Sequence, residues 1–478
     1  MTAALGVFAA VFALYLGCVY PSIAPRDSAD MAAAAMTLGV AHPPGYPLYS
    51  VLGHAWLTIF PWGNPAYRLN VLAAVAGAAA AAALYFVVKR RAGAVGALTA
   101  AALWALSAPL WKFSLLEEKY ALHALFAACL LALAEGERES VFRRARVSGL
   151  LLGLGLVNHQ SLLFWTPALL WLWRSEARRS GAAPARLAYA AAGPVFAGLS
   201  LYAFLWVRLG ALGPAVAVAL RARYGTGTLS AGLARPLTAE SAGILTAYAV
   251  TQTAAVVGWS TLAAAVLGAL VAWRADRERA AAWLAGAALT GPFFVVLTRF
   301  DPAGWVARSV LEPAFLLPAM IAAAFAGEAA GELSRRRGGF AGAVAALALA
   351  GAAFARPAPL PEHRDDFLAY DYARDLRRAV PPGGALLASG DTASFALRWL
   401  ALTEPRIMPI DLGDARLIDG AAWLAARAGR GDVSVTGIGP ADLKVLGLPS
   451  PGTPLAPAGL VQRVGVRPPA PLPLTVLR

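Results

Sequence analysis

The chain has 478 residues, of which 59% are hydrophobic and only 14% charged, with a formal net charge of +14. A soluble protein keeps roughly a quarter of its residues charged to wet its surface, so the composition excludes an ordinary soluble globular chain. The basic excess does not mark a nucleic-acid binder either, because it falls in short clusters at the ends of apolar runs, the pattern of helices oriented by the positive-inside rule.

Apolar runs at 69–88, 93–111, 187–207, 280–297 and 310–325 approach the ~20 residues that cross a ~30 Å hydrocarbon layer as helix. The basic clusters are Lys89-Arg90-Arg91, Arg143-Arg144-Ala145-Arg146, residues 174–186, residues 274–279 and Arg335-Arg336-Arg337. With these on the cytoplasmic side, residues 1–20 form a retained first span, and 21–68 a long extracytoplasmic loop. Segments 69–88 and 93–111 return and cross again, a short outer loop at 112–119 carries Glu117-Glu118, and 120–134 return. The segment 147–173 has basic residues on both flanks, which predicts two short helices meeting at Asn158-His159-Gln160. Residues 187–208 cross out and 209–241 make a second outer loop. Spans at 242–273, 280–298, 308–328 and 338–355 follow, for about eleven in all by the hydropathy rule. This parity puts the C-terminus outside. The two cysteines, Cys18 and Cys129, fall in or beside predicted spans and read as small apolar fillers, with no disulfide.

From Arg356 the texture changes: prolines cluster, charges rise, and no bilayer-length run recurs. A helix over 366–380 is stopped by Pro381-Pro382-Gly383-Gly384, a short apolar strand at 385–389 ends in Gly390-Asp391, a helix follows at 392–402 and a strand at 406–412. This βαβ-like order predicts a small α/β domain. The expected organisation is therefore a polytopic α-helical membrane domain, 1–355, followed by a soluble extracytoplasmic α/β domain, 356–478. No internal repeat of the kind many transporters carry is evident.

Chemistry-bearing residues concentrate in the first outer loop. Asp27 and Asp30, three residues apart, can share a helix face and activate a hydroxyl or hold a cation; equally, Asp27 or Ser28 can cap a helix starting at Ala29. Three prolines and a glycine within Pro43-Pro44-Gly45-Tyr46-Pro47 make a stiff, non-helical track presenting His42 and Tyr46. Glu117 sits at a helix start, where the dipole favours an acid. Asn158 and His159 lie within an apolar run, where polar groups are costly and serve either function or a helix-to-helix hydrogen bond. Arg299 and Arg308 bracket the outer end of a span, suited to lipid phosphate or to interface anchoring. Asp391 ends a strand and suits either a ligand or the cap of the next helix.

The runs Asp27-Ser28-Ala29-Asp30, Leu38-Gly39, His42-Pro43-Pro44-Gly45-Tyr46-Pro47-Leu48-Tyr49 and Arg68-Leu69-Asn70 resemble a family of membrane proteins related to protein O-mannosyltransferases. The resemblance continues at Glu117, Tyr120, Leu122 to Phe126, Gly155-Leu156-Val157-Asn158-His159, and Ser389-Gly390-Asp391-Thr392 with Phe395. The family usually has Asp-Ser-Gly-Glu where this chain has Asp27-Ser28-Ala29-Asp30, so the second acid is one methylene shorter. Such proteins resemble GT-C glycosyltransferases, which implies a polyprenyl-phosphate-linked sugar donor, a protein or glycan acceptor and inversion by a single displacement. It implies Asp27 as base, with Asp30 orienting it or helping to hold a metal; His42, Tyr46, Arg68, Glu117, Asn158 and His159, together with Arg299 and Arg308 from their place at the end of a span, are the candidate substrate-binding residues. The acids leave room for a divalent cation, though no tight metal set is evident. The alternative is a transporter or lipid flippase without covalent chemistry. The Ala-, Arg- and Gly-rich usage fits a high-GC bacterial genome, and with it an inner membrane and an undecaprenyl-type carrier.

Overall fold

In lipid every backbone N–H and C=O must be satisfied within its own segment, and the apolar runs accordingly fold as helices. The computed structural model describes residues 2–136, 140–222, 236–354, 361–405, 411–414, 419–427, 432–438, 448, 455–458 and 460–464. The chain divides into two compact units: Met1–Val19, Ala35–Gly63 and Tyr67–Arg364 make the first, and Tyr20–Ala34, Asn64–Ala66 and Asp365–Arg478 the second.

The helices run in chain order as α1 (Thr2–Leu16), α2 (Ser28–Thr37), α3 (Pro47–Ile59) and α4 (Pro65–Ala105). Gly93, at φ 68° and ψ −171°, kinks α4 where Lys89-Arg90-Arg91 interrupts the apolar sequence, so two expected spans share one 41-residue helix. Next come α5 (Ala108–Phe113), α6 (Tyr120–Ala134) and α7 (Val141–Asn158), then a 3-10 turn (Gln160–Trp165) and α8 (Thr166–Ser180). The break expected at Asn158-His159-Gln160 is present, with His159 in extended geometry between the helices. Helices α9 (Pro184–Leu199), α10 (Ala203–Leu209) and α11 (Leu212–Ala219) precede residues 223–235 of the second outer loop, which lie outside the described residues.

The single span expected at 242–273 is instead two helices, α12 (Ala239–Val257) and α13 (Trp259–Ala275), bent by 104°. Gly258 (φ 85°, ψ 145°) makes the corner, a conformation a side chain resists. Then follow α14 (Arg277–Ala288), α15 (Phe294–Thr298), α16 (Trp305–Leu311), α17 (Leu316–Arg337) and α18 (Gly339–Phe354). Among the described residues four continuous helical stretches are long and apolar enough to cross a bilayer: Pro65–Ala105, Pro184–Leu209, Arg277–Thr298 and Val306–Arg337. The bent pair is a fifth, and Thr2–Leu16, Tyr120–Ala134 and Gly339–Phe354 are shorter apolar helices. The expected count of about eleven spans thus reduces, on length and composition, to several apolar helices.

Helices α6 and α7 are antiparallel: the Arg144 guanidinium at the start of α7 donates to Leu133 O at the end of α6 (2.9 Å), and the Asn158 amide at the end of α7 donates to Lys119 O before α6 (3.0 Å). Helices α7 and α9 are parallel and very close. A Cβ on Gly149 would stand 2.3 Å from Ala191 O, and one on Gly153 2.3 Å from Val195 O. Small residues permit this backbone-to-backbone approach in lipid, where hydrophobic burial gives helices no reason to associate.

All five basic clusters read from the sequence meet at one end of this unit. Arg144 pairs with Glu176; Arg179 reaches Glu176 and Asp276 (3.3 Å each); Arg91 reaches Asp276 (3.4 Å); and Arg335 donates to Arg91 O (2.7 Å). Deeper in, Arg279 and Glu328 form a pair at 2.7 Å with both side chains buried, and the Arg279 guanidinium lies 4.8 Å from the centre of the Trp283 ring. The Trp283 indole donates to Glu135 at 2.6 Å.

In the second unit, α19 (Leu368–Ala379) precedes β1 (Ala385–Ala388), α20 (Asp391–Thr403), β2 (Asp411–Asp414), α21 (Gly420–Ala425), β3 (Val433–Thr436), β4 (Leu455–Ala458) and β5 (Val461–Val464). The sheet order is β2-β1-β3-β5-β4. Strands β2, β1 and β3 are parallel, with Ala385 opposite Asp411 and Val433, and β5 runs antiparallel to both β3 and β4. The expected βαβ order appears as β1-α20-β2; residues 406–410 of the second expected strand lie outside the described residues.

Removing one partner of a buried ion pair leaves an uncompensated charge costing ~3–5 kcal/mol, whereas replacing both by apolar groups is close to neutral. Glu328→Leu is therefore expected to lower the melting temperature of the detergent-solubilised protein sharply. The double change Arg279→Leu/Glu328→Leu is expected to restore most of that loss in the same thermal scan.

Candidate functional site

The track His42–Tyr46 is built by backbone geometry. The Pro43–Pro44 peptide is cis, and the Gly45 N–H closes a turn on His42 O (2.9 Å). Gly45 takes φ 92°, and Tyr46 is left-handed at φ 45° immediately before α3. A Cβ on Gly45 would come within 2.7 Å of Leu205 Cδ2 and 3.1 Å of Val218 Cγ1, so both the conformation and the space require glycine.

This track meets the end of α6 and α7 that carries no arginine cluster. The ring centres of His42 and Tyr46 are 5.1 Å apart, Tyr46 stacks on His159 at 6.3 Å, and His159 has Tyr120 and His123 each at 5.2 Å. Beside them Glu117, Glu118 and Lys119 are all buried. The Lys119 ammonium lies 3.7 Å from Glu118 Oε2, and 5.0 Å and 4.6 Å from the ring centres of Tyr46 and Tyr120. Desolvating an ammonium is tolerable here because a carboxylate and two π faces surround it. His159 Nδ1 contacts Ser161 Oγ at 2.6 Å, and the Gln160 amide donates to the Tyr202 hydroxyl (3.1 Å) and Ala219 O (2.8 Å). The Tyr49 phenol is held well above the usual tyrosine range, first by burial and then by the Glu117 and Glu118 carboxylates. Tyr49 OH, His123 Nδ1 and Asn158 Oδ1 have no hydrogen-bond partner among the described residues. Buried polar atoms are normally paired, so these three are groups through which the cluster can bind.

The structure therefore brings together His42, Tyr46, Glu117, Asn158 and His159 of the residues expected to bind substrate, and adds Lys119, Tyr49, Tyr120 and His123. The sequence carried a signal for the additions. Three successive charges at 117–119 open an apolar helix, and His123 follows Lys119 by one helical turn.

Three expected binding residues stand elsewhere. The Arg68 guanidinium donates to Leu57 O (3.0 Å) and to Phe60 O, closing the end of α3, whose last carbonyls need donors. Arg299 is the left-handed residue (φ 57°) that ends α15. Arg308 is an exposed residue of α16, close enough with Glu312 to act electrostatically on the Tyr248 hydroxyl. Neither Arg68, Arg299 nor Arg308 shares a hydrogen bond or ion pair with the Lys119 cluster among the described residues.

Asp27 and Asp30 belong to the second unit. Asp27 directly precedes α2, and its carbonyl accepts from Met31 N–H (3.0 Å), so it occupies the capping position; Asp30 is buried in the first turn. The segment is fixed on both sides of the acid. Ser28 Oγ accepts from Ala24 N–H (2.7 Å), and the Arg26 N–H, at φ 76°, donates to Thr392 Oγ1 (3.1 Å). The two ends of the sequence resemblance, Asp27-Ser28 and Asp391-Thr392, thus meet through Arg26 and Thr392. Asp391 opens α20 with Gly390 at the cap. Among the described residues no three His, Cys, Asp or Glu side chains are grouped so as to hold a metal.

Residues 27–180 match the family described as "Protein O-mannosyl-transferase TMEM260 N-terminal domain", which bears out the resemblance over that segment. The chain is 34% identical over 165 residues to protein O-mannosyl-transferase TMEM260 of Mus musculus, covering 33% of this chain and 24% of that one. It is 26% identical over 193 residues to protein O-mannosyl-transferase tmem260 of Dictyostelium discoideum, covering 34% and 23%. The match thus spans about a quarter of the length of these curated relatives. Among solved structures, the chain is similar to ArnT from Cupriavidus metallidurans bound to undecaprenyl phosphate, with a TM-score of 0.59 and 12% identity over 97% of both chains. The chain accordingly shares the fold of that ArnT structure.

Two substitutions test this geometry. Gly45→Ala forces a side chain into the left-handed region at a cost of about 1–3 kcal/mol, and its melting temperature is expected to fall accordingly. Thr392→Val removes one hydrogen bond, worth ~1 kcal/mol; it is expected to leave the melting temperature nearly unchanged while raising proteolytic cleavage within residues 20–27, read by mass spectrometry.

Proposed function

We propose that the protein is an integral-membrane glycosyltransferase that moves a sugar from a polyprenyl-phosphate carrier to a hydroxyl acceptor. The observation that carries this reading is the buried cluster of Glu117, Glu118 and Lys119 with His42, Tyr46, Asn158 and His159, inside the segment that matches the protein O-mannosyl-transferase family. Fixed charges buried in an apolar helical unit are expensive and mark a site of function. The ArnT fold, and the lipid phosphate named with that structure, support a lipid-linked donor.

The chemistry divides between the residues as follows. Asp27, the first acid of the loop, takes the proton from the acceptor hydroxyl as the oxygen attacks the anomeric carbon. The bond from that carbon to the carrier phosphate breaks in the same displacement, the phosphate leaves as an anion, and the configuration inverts. Asp30, buried one turn on, orients the segment that presents Asp27. Within the helical unit, Lys119 is a cation held by Glu118 and two tyrosine rings, suited by its fixed position to a phosphate oxygen. Arg68 serves the end of α3 in this reading. A divalent cation remains compatible with Asp27 and Asp30 and is tested by adding chelator to the assay.

The position of the cluster also supports an orientation. From Arg144 to Asn158 α7 rises about 21 Å at ~1.5 Å per residue, so the arginine network and the Lys119 cluster occupy opposite ends of the helical unit. With the arginines cytoplasmic under the positive-inside rule, the site faces the extracytoplasmic side. The relatives' name, protein O-mannosyl-transferase, supports mannose as the sugar and a protein hydroxyl as the acceptor, for which Ser or Thr is our choice; a bacterial inner membrane and an undecaprenyl carrier rest on residue usage and on the ArnT likeness.

The deciding experiment offers purified protein a panel of radiolabelled polyprenyl-phosphate sugars with an envelope extract as acceptor. Label is expected to move from one donor, Asp27→Asn to abolish transfer with folding intact, and Lys119→Met to lower kcat about 10²–10³-fold, the loss typical of one fixed donor to a developing oxyanion. Transfer at full rate by Asp27→Asn removes the base assignment. A folded protein that moves label from no donor removes the transferase reading.

A further inference from the structure

At the arginine-rich end of the helical unit a narrow apolar slot opens between α7, α8 and α9. Its walls include Ser148 and Leu152 of α7, Leu169 and Trp173 of α8, and Leu187 and Val195 of α9, and it encloses about 240 Å³. That is smaller than the ~300–1,000 Å³ of pockets for drug-sized ligands, and suits a single hydrocarbon chain. Ser148 is only 6% exposed, and its hydroxyl, on the slot wall, has no hydrogen-bond partner among the described residues. The outer flank of α9 and α10 is almost wholly unburied, as expected of a surface facing lipid.

The charge at this end is unbalanced. Arg174 lines the slot, and Arg146 and Arg186 line the adjoining hollow beside the exposed Tyr189. None of the three arginines has an ion pair among the described residues, because the neighbouring acids are taken: Glu176 by Arg144 and Arg179, and Glu278 by Arg178. An apolar slot with Arg174 at its edge and Arg146 and Arg186 beside it, none of them in an ion pair among the described residues, on helices that lie in a bilayer, is complementary to one class of molecule.

We infer that this slot holds one acyl chain of an anionic phospholipid of the surrounding bilayer, with its phosphate on Arg174, Arg146 and Arg186. Guanidinium forks match phosphate oxygens in bidentate geometry, and basic residues at the ends of membrane helices attract anionic headgroups. The slot is distinct from the Lys119 cluster, which lies toward the other end of α7, so the bound lipid is a fixed structural partner and not the sugar carrier. It fills the gap that α8 leaves against the close-packed α7–α9 pair. The inference rests on the membrane placement of these helices and not on the transferase chemistry.

The test uses the full-length protein, delipidated in detergent and offered equal amounts of phosphatidylglycerol and phosphatidylcholine, with bound lipid counted by native mass spectrometry. The wild type is expected to retain phosphatidylglycerol in clear preference. Each of Arg174→Gln, Arg146→Gln and Arg186→Gln is expected to reduce that preference by about fivefold, the factor matching ~1 kcal/mol per basic residue at an anionic surface. Ala188→Phe places a ring in the slot from an exposed position of α9 and is expected to abolish retention of both lipids. All four positions are exposed, and an unchanged melting temperature in lipid-free detergent verifies that each variant is folded. Equal retention of the two lipids by the wild type overturns the inference. So does a preference that survives the triple Gln variant, or retention that survives Ala188→Phe.

Discussion

Charge that enters an apolar helical unit must be neutralised by the protein itself, and this constraint organises the first unit. At one end Arg91, Arg144 and Arg179 are tied together through Glu176 and Asp276, Arg335 reaches Arg91 O, and Arg279 pairs with Glu328, so that α4, α7, α8, α14 and α17 all contribute to the ionic end. At the other end a lysine is balanced by a glutamate and two aromatic rings. Between these layers the core is mostly alanine, leucine, valine and aromatic side chains. The two layers differ in kind. The arginine layer is partly wet and widely connected, and holds helices together. The Lys119 layer is small, dry and lined by rings, which raises the strength of every electrostatic contact a ligand makes there.

With polar glue confined to the ends, the middle of the unit depends on shape. A Cβ at Gly327 would meet Gly96 O at 2.4 Å, and Gly149 and Gly153 leave α9 a backbone-to-backbone fit against α7. Such contacts fix the azimuth of α7, and with it the direction in which Asn158 and His159 leave its last turn. The amide of Asn158 on Lys119 O then ties that turn to the start of α6. The geometry of the polar cluster is thus set in part by Gly149 and Gly153, earlier on the same helix, through the rigidity of α7.

How much of this the sequence made legible depends on the kind of signal. Apolar length and basic clusters located the helical segments, and the flanking charges of 147–173 gave the break at His159, because each reflects a cost paid residue by residue in lipid. The 104° corner at Gly258 was not legible: one glycine in an apolar run is compatible with a straight span, and only tertiary packing decides. Nor were β4 and β5, whose short strands in a Pro-rich stretch show no clean alternation. Among site residues, the stiff proline track drew attention to His42 and Tyr46, whose rings lie beside His159 and Lys119, while Lys119 was passed over because a lysine beside two glutamates reads as a wet loop. Arg68 drew attention by its place in the resemblance, yet its guanidinium serves two carbonyls at the end of α3.

The first loop also shows how one sequence motif is divided by the fold. Read along the chain, Asp27 to Tyr49 is a single conserved-looking run of chemistry, but the boundary between the compact units falls within α2: residues up to Ala34 go with the sheet-bearing unit and those from Ala35 with the helices. Asp27 is therefore held from the C-terminal side. Arg26, in a left-handed conformation that costs a non-glycine residue about 1–2 kcal/mol, is kept there by its N–H on Thr392 Oγ1 and by the Ala24–Ser28 hydrogen bond that follows. Such a cost beside the acid proposed as base is the mark of a position that surrounding structure over-determines. It follows that the α/β unit, placed more than 300 residues downstream, is no appendage: the backbone of the segment that presents Asp27 is partly its own.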